Sequence, residues 1–143
     1  MVRRFGISNP MAPSLPSALG ASEASLLEMT AAYSAFPNKC VRMTRHLIRK
    51  VYSRDGSLLE QYENQSTKVT SEYVALTMVQ MMRGVVSGGG TASGASAGGF
   101  PLGGQTGTVN DPTDVWVIGY PPAYVPGVWM GNPLRKESLG AGM

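Results

Sequence analysis

The stretch Gly103-Gly104-Gln105-Thr106-Gly107-Thr108-Val109-Asn110 has residue types and spacing suited to chemistry. Glycines let a ligand approach the main chain closely, and the hydroxyls of Thr106 and Thr108 can both donate and accept hydrogen bonds. Two apolar runs follow it, Val115-Trp116-Val117-Ile118 and Val125-Pro126-Gly127-Val128-Trp129-Met130. Both are short, rich in β-branched and aromatic residues and bounded by Pro or Gly, the pattern of buried strands. The glycine-threonine stretch is therefore predicted at the head of a small antiparallel sheet, on or just before its first strand.

Other chemistries fit less well. Gly99-Phe100-Pro101-Leu102-Gly103-Gly104-Gln105-Thr106 matches a nucleotide-phosphate loop except that Gln105 stands where Lys is required. Such a loop must also open a helix, whose N-terminus holds the anion, and here a strand is predicted to follow. His46 is the only histidine and falls in a charged ribbon, so a Ser–His pair would be fortuitous. Asp111 and Asp114 flank Pro112 and could form a carboxylate pair, although turn and capping roles explain them equally. Cys40 is the only cysteine, which excludes an internal disulfide and a Cys-based metal site. No metal-ligand spacing is present.

The elements that must position the central stretch read as follows. Residues 1–24, punctuated by Pro10, Pro13 and Pro16, are predicted to be a connector. Ser25-Leu26-Leu27-Glu28 is a capping box, and Leu26, Leu27, Met29, Tyr33 and Phe36 give the following helix an apolar face that Pro37 ends. Asp55-Gly56 lies between His46–Tyr52 and Ser57–Glu60, predicting a two-stranded ribbon with a tight turn of positive φ angles. A second helix is expected from about Ser71 to Val86, capped by Thr70 or Ser71. Its apolar residues, from Val74 through Met82 to Val85, go most of the way round and predict burial on more than one side. Ser87 to Gly99 is Gly, Ser and Ala with one Thr, predicting a mobile loop at the rim of the central stretch.

Bulk properties narrow the classes further. A chain of 143 residues with 43% hydrophobic content suits one domain or a large piece of one. The net charge of +3 is mild, and its basic residues gather at Lys39, Arg42, Arg45, Arg49, Lys50 and Arg54. No aromatic residues interleave them, which favours a solvated face over a nucleic-acid surface. No apolar run is long enough to span a bilayer and no targeting segment is evident, although an exported protein would need one.

Gln105-Thr106-Gly107-Thr108 followed by a Trp-bearing strand resembles the Lys-Thr-Gly strand of serine acyltransferases that act on D-alanyl-D-alanine peptides. Ala18-Leu19-Gly20, Leu27-Glu28-Met29, Ala32-Tyr33-Ser34-Ala35-Phe36, Arg83-Gly84-Val85-Val86, Thr113-Asp114-Val115-Trp116, Gly119-Tyr120 and Gly127-Val128-Trp129-Met130-Gly131 extend the likeness in order. Together they resemble the later part of the transpeptidase domain of class A, bifunctional penicillin-binding proteins. The resemblance implies an α+β fold, an antiparallel sheet flanked by helices, forming a partial β-lactamase/transpeptidase-like domain over residues 1–143. It places Met1 and Met143 inside the family domain, before a C-terminal helix that covers the sheet.

The resemblance implies D,D-transpeptidation, the cross-linking of peptidoglycan stem peptides through an acyl-enzyme that β-lactams inhibit, with no cofactor. Thr106 and Thr108 would meet the substrate carboxylate, the Thr108 N–H would supply one oxyanion donor, and Gly107 would keep the strand edge open. Gln105 occupies the family's lysine position. Gln keeps hydrogen bonding but loses the charge, and a lost charge-assisted bond costs roughly 1.5–3 kcal/mol. The sequence contains no Ser-x-x-Lys and no Ser-x-Asn; Tyr62-Glu63-Asn64 has only a permissible spacing for the latter. No nucleophile is therefore expected in this chain. Its implied partners are D-Ala-D-Ala stem peptides, β-lactams and the N-terminal half of the domain, at the outer, periplasmic face of the cytoplasmic membrane. Two other readings are a non-catalytic interaction module of the cell envelope and a nucleotide-binding glycine-rich loop.

Overall fold

A computed structural model describes residues 1–96, 103–108, 113–121, 123–134 and 138–140. Among the described residues a serine caps each α-helix. Ser25 Oγ accepts a hydrogen bond of 3.2 Å from the Glu28 N–H and opens α1, Leu26–Tyr33. The reciprocal half of the expected capping box does not form. The buried Glu28 carboxylate turns instead to Ser8, accepting from its N–H at 3.1 Å and from its hydroxyl, with the Arg45 guanidinium 4.0 Å away. Residues 1–24 are thus tied down rather than a bare connector, and the Phe5 ring lies 5.3 Å from that of Phe36. The helix stops before Phe36, because the N–H groups of Ala35 and Phe36 bond carbonyls three residues back and tighten the chain out of α geometry.

After two residues in the left-handed region, Lys39 (φ 54°) and Cys40 (φ 59°), four short strands follow. They are β1 Val41–Met43, β2 Lys50–Tyr52, β3 Leu58–Gln61 and β4 Ser66–Lys68; β1 pairs with β4 and β2 with β3, both antiparallel. The β2–β3 ribbon lies where the sequence predicts it, but it begins at Lys50 rather than His46, and its turn differs. Only Gly56 takes a positive φ, 85°. The Asp55 carboxylate instead organises the turn, accepting from the Ser57 N–H at 3.0 Å, the Ser57 hydroxyl at 2.9 Å and the Ser53 hydroxyl. Those three donors hold the Asp55 carboxyl down at about 2, the Ser53 hydroxyl contributing most.

The second helix, α2, runs Glu72–Val86, capped by Ser71, whose Oγ accepts from the Val74 N–H at 3.3 Å. It buries Ala75, Met82 and Val86, one helical stripe, while Tyr73, Leu76 and Met81 are exposed. The expected burial on more than one side is not found: the apolar residues encircle the helix, but the sheet covers one face.

The last three strands, β5 Gly103–Thr108, β6 Asp114–Tyr120 and β7 Gly127–Gly131, form one antiparallel sheet in that order. The two apolar runs form the antiparallel strands that the sequence predicts; register runs from Gly103 opposite Tyr120 to Thr108 opposite Val115, and Trp116 stands opposite Trp129 across β6–β7. The tip of the β6–β7 connection at Pro122 lies outside the described residues. The α2 helix packs on β5 and α1 on β7. A Cβ at Gly127 would stand 2.0 Å from Thr30 Oγ1, so glycine is what allows α1 to sit this close to β7. Helices on an antiparallel sheet make the fold α+β, as expected.

Candidate functional site

Strand β5 is an edge: among the described residues only β6 pairs with it. Alternate N–H and C=O groups of an edge strand have no ladder partner and are free to take one. Residues opposite one another share a face, so Thr106 and Thr108 lie on the face of Val117 and Val115, and Gln105 and Gly107 on that of Ile118 and Trp116. Gln105 and Thr108 are exposed, and Thr106 and Gly107 are half-buried. All four sequence-predicted site residues therefore stand on one accessible strand.

The glycines of this stretch divide by cause. A Cβ at Gly103 would lie 2.3 Å from Tyr120 Cε2, and one at Gly104 would lie 2.8 Å from the Ile118 carbonyl oxygen. Packing alone demands glycine at both. A Cβ at Gly107 would meet Trp116 Cβ at an ordinary 3.5 Å. Packing does not require that glycine, unlike the two before it.

A further residue reaches the strand from outside it. Thr91 Oγ1 lies 2.8 Å from Thr106 Oγ1. Thr91 belongs to the segment after α2, where the sequence suggests a mobile loop. The described part, residues 87–96, is instead a built turn ending in a short 3-10 helix at Ser93–Ser96. The Gly90 N–H donates to the Ser87 carbonyl and the Ala92 N–H to that of Val85, both at 2.9 Å. A Cβ at Gly90 would fall 2.1 Å from the Val85 oxygen, so only glycine lets the chain fold back over the end of α2. Residues 97–99 of the expected loop lie outside the described residues.

The other candidates do not converge. The stretch that would end a phosphate loop, Gly103 onward, is a strand and not a helix N-terminus, which removes the nucleotide reading; residues 99–102 are outside the described residues. His46 lies between β1 and β2, hydrogen-bonded to no described serine. Asp114 Oδ1 accepts from Trp116 Nε1 at 2.9 Å, which gives it a structural task, and Asp111 is outside the described residues. Among the described residues no cluster of His, Cys, Asp or Glu could hold a metal. Burial pushes the Cys40 thiol up, consistent with an inert core residue. A cavity of about 260 Å³ lies between Phe36, Ala75, Val79, Arg83, Gly103 and Tyr120, and does not include Gln105–Thr108. Among the described residues the candidate site is a strand edge rather than an enclosed pocket.

The sequence profile of the penicillin binding protein transpeptidase domain matches residues 8–138. The chain belongs to the penicillin-binding protein transpeptidase family. Penicillin-binding protein 1A of Neisseria meningitidis serogroup A is 35% identical over 145 residues, which cover 97% of this chain and 18% of the relative. Penicillin-binding protein 1A of Clostridium acetobutylicum is 39% identical over 114 residues, 79% of this chain and 14% of its own length. The chain thus spans less than a fifth of these relatives. Among solved structures, penicillin-binding protein 1A from Haemophilus influenzae superposes with a TM-score of 0.90 at 21% identity, covering 99% of this chain and 27% of that one. Penicillin-binding protein 3 from Mycobacterium tuberculosis, complexed with aztreonam, superposes at 0.78 with 26% identity, covering 94% and 39%. The class A resemblance of the sequence therefore stands, and the sheet of Trp116 and Trp129 is a penicillin-binding protein fold. No helix among the described residues is long and apolar enough to cross a membrane.

Proposed function

We propose that this chain is the later portion, residues 1–143, of a D,D-transpeptidase domain, supplying the strand that recognises the terminal carboxylate of a peptidoglycan stem peptide. Thr106 and Thr108 offer hydroxyls to the carboxylate, the Thr108 N–H serves as an oxyanion donor, Gly107 keeps the edge open, and Gln105 fills the family's lysine position. The observation that carries this reading is the open β5 edge, bearing a glycine at 107 that packing does not require. D-Ala-D-Ala peptides and β-lactams are its ligands, and no cofactor takes part. The activated serine comes from the N-terminal half of the domain, since none of the serines here has a lysine three residues on. The place of action is the cell envelope, at the outer face of the cytoplasmic membrane.

Titration of the 15N-labelled chain with N-acetyl-D-alanyl-D-alanine tests the reading. Shifts confined to β5 and its neighbours, and lost in Thr106→Val, are expected. Shifts elsewhere, or unchanged binding by Thr106→Val, would refute it. Gln105 at the lysine position favours a second reading, a non-catalytic interaction module. Co-expression with a segment carrying Ser-x-x-Lys separates the two, because only the first regains labelling by fluorescent penicillin.

A further inference from the structure

We infer that Thr91 is a positioning residue for the carboxylate site, setting the direction of the Thr106 hydroxyl; the inference rests on the reading of β5 proposed above. The two Oγ1 atoms are 2.8 Å apart, an ordinary O–H···O distance, so one of the two hydroxyls donates to the other. A hydroxyl has one proton and two lone pairs. With Thr106 as acceptor of the Thr91 proton, its own proton is free for an anion on the open side of β5. An anion selects that arrangement, because the reverse one spends the Thr106 proton on Thr91 and turns lone pairs toward the negative charge. Donation in series also polarises the second O–H and strengthens its bond to the anion. The effect matters more with Gln105 than it would with a lysine, since hydroxyl dipoles must then do what a cation does elsewhere in the family.

The main chain holds Thr91 in place for this task. Gly90 makes the fold-back over Val85, and the Ala92 N–H is fixed to the Val85 carbonyl at 2.9 Å. Thr91 is thereby bracketed on both sides by contacts to the end of α2, the helix that packs on β5. Position and hydroxyl together distinguish it from the small residues around it.

The test uses two ligands and two variants of the 143-residue chain. Thr91→Val should weaken binding of N-acetyl-D-alanyl-D-alanine about three- to tenfold, the range for one hydrogen bond. Binding of the C-terminal amide of the same dipeptide should not change, and Thr91→Ser should restore the carboxylate ligand. In the free protein, three-bond couplings of Thr106 should report one χ1 rotamer in wild type and Thr91→Ser and averaging in Thr91→Val. Equal weakening of both ligands by Thr91→Val, or none, would overturn the inference while leaving the Thr106→Val result to judge β5 itself. A Thr106 rotamer indifferent to Thr91 would overturn it without any ligand.

Discussion

The ring of Tyr120 lies over Gly103, where a Cβ would stand 2.3 Å from Tyr120 Cε2 and 2.7 Å from the phenolic oxygen. Strand β5 and the buried end of β6 are locked to each other by that missing side chain. Gly103→Ala should destabilise the chain by about 1–3 kcal/mol through overpacking. The Tyr120 hydroxyl is buried with no hydrogen-bond partner among the described residues. Burial first, and then the nearby Tyr33, push its pKa up to about 12. Removing an unpartnered polar group costs nothing and can stabilise, so Tyr120→Phe should melt at or above the wild-type temperature. Chemical denaturation of both variants checks this, and a Tyr120→Phe less stable than Gly103→Ala would contradict it.

The Asp55 turn gives the ribbon a pH dependence whose sign follows from its cause. Its carboxyl sits at about 2 against an ordinary 3.8, because Ser53 and Ser57 bond the ionised form. A folded-state pKa that is depressed contributes stability above the ordinary value and loses it as pH falls through the folded one. Order of the β2–β3 ribbon should therefore persist at pH 5 and decline between 3.8 and about 2. Amide chemical shifts of Ser53 to Ser57 should follow this titration, and Asp55→Asn should remove it. A carboxyl titrating at its ordinary value would show that the three donors do not hold it.

Gln105 is exposed on β5, so a change there tests charge with little packing consequence. Gln105→Lys should tighten N-acetyl-D-alanyl-D-alanine by about ten- to a hundredfold, the worth of a charge-assisted bond. The amide analogue should gain nothing. Calorimetric titration decides, and an equal gain for both ligands would mean that Lys acts by something other than pairing with a carboxylate.

What the sequence shows and what it conceals follow the range of the interactions. Ser25 and Ser71 cap the helices through bonds three residues long, so both starts are readable. That the runs of Trp116 and Trp129 form neighbouring antiparallel strands is readable because two apolar runs separated by a short, Pro-bearing connection have one economical arrangement; which residues stand opposite is not. Glu28 bonds Ser8 across twenty residues rather than its own helix start, and nothing local signals that choice. The β1–β4 pair has three residues per strand and no alternation to mark it. Val74, Leu76 and Met81 read as core because composition carries no information on which side of α2 the sheet lies.

The site divides in the same way. Gln105, Thr106, Gly107 and Thr108 stand together because consecutive residues on a strand must. Thr91 sits in a Gly-, Ser- and Ala-rich run whose composition reads as mobility, and it meets Thr106 only because Gly90 turns the chain back over Val85. The glycines themselves mislead in part: Gly103 and Gly104 suggest ligand access, yet they accommodate the Tyr120 ring and the Ile118 carbonyl.

Intact-mass measurement after incubation with penicillin tests the proposed division, in which this chain carries the recognition strand and another segment carries the nucleophile. Acylation requires a hydroxyl activated by a nearby base. None of the serines here has a lysine three residues on, and the sole histidine, His46, is in the segment between β1 and β2. Backbone N–H groups on β5 do not depend on side-chain identity, but without an activated hydroxyl they have no acylation transition state to stabilise. The predicted result is an unchanged mass for both the wild-type chain and Gln105→Lys at saturating penicillin. A stoichiometric increase by the mass of the antibiotic, mapped to any serine or threonine, would contradict it.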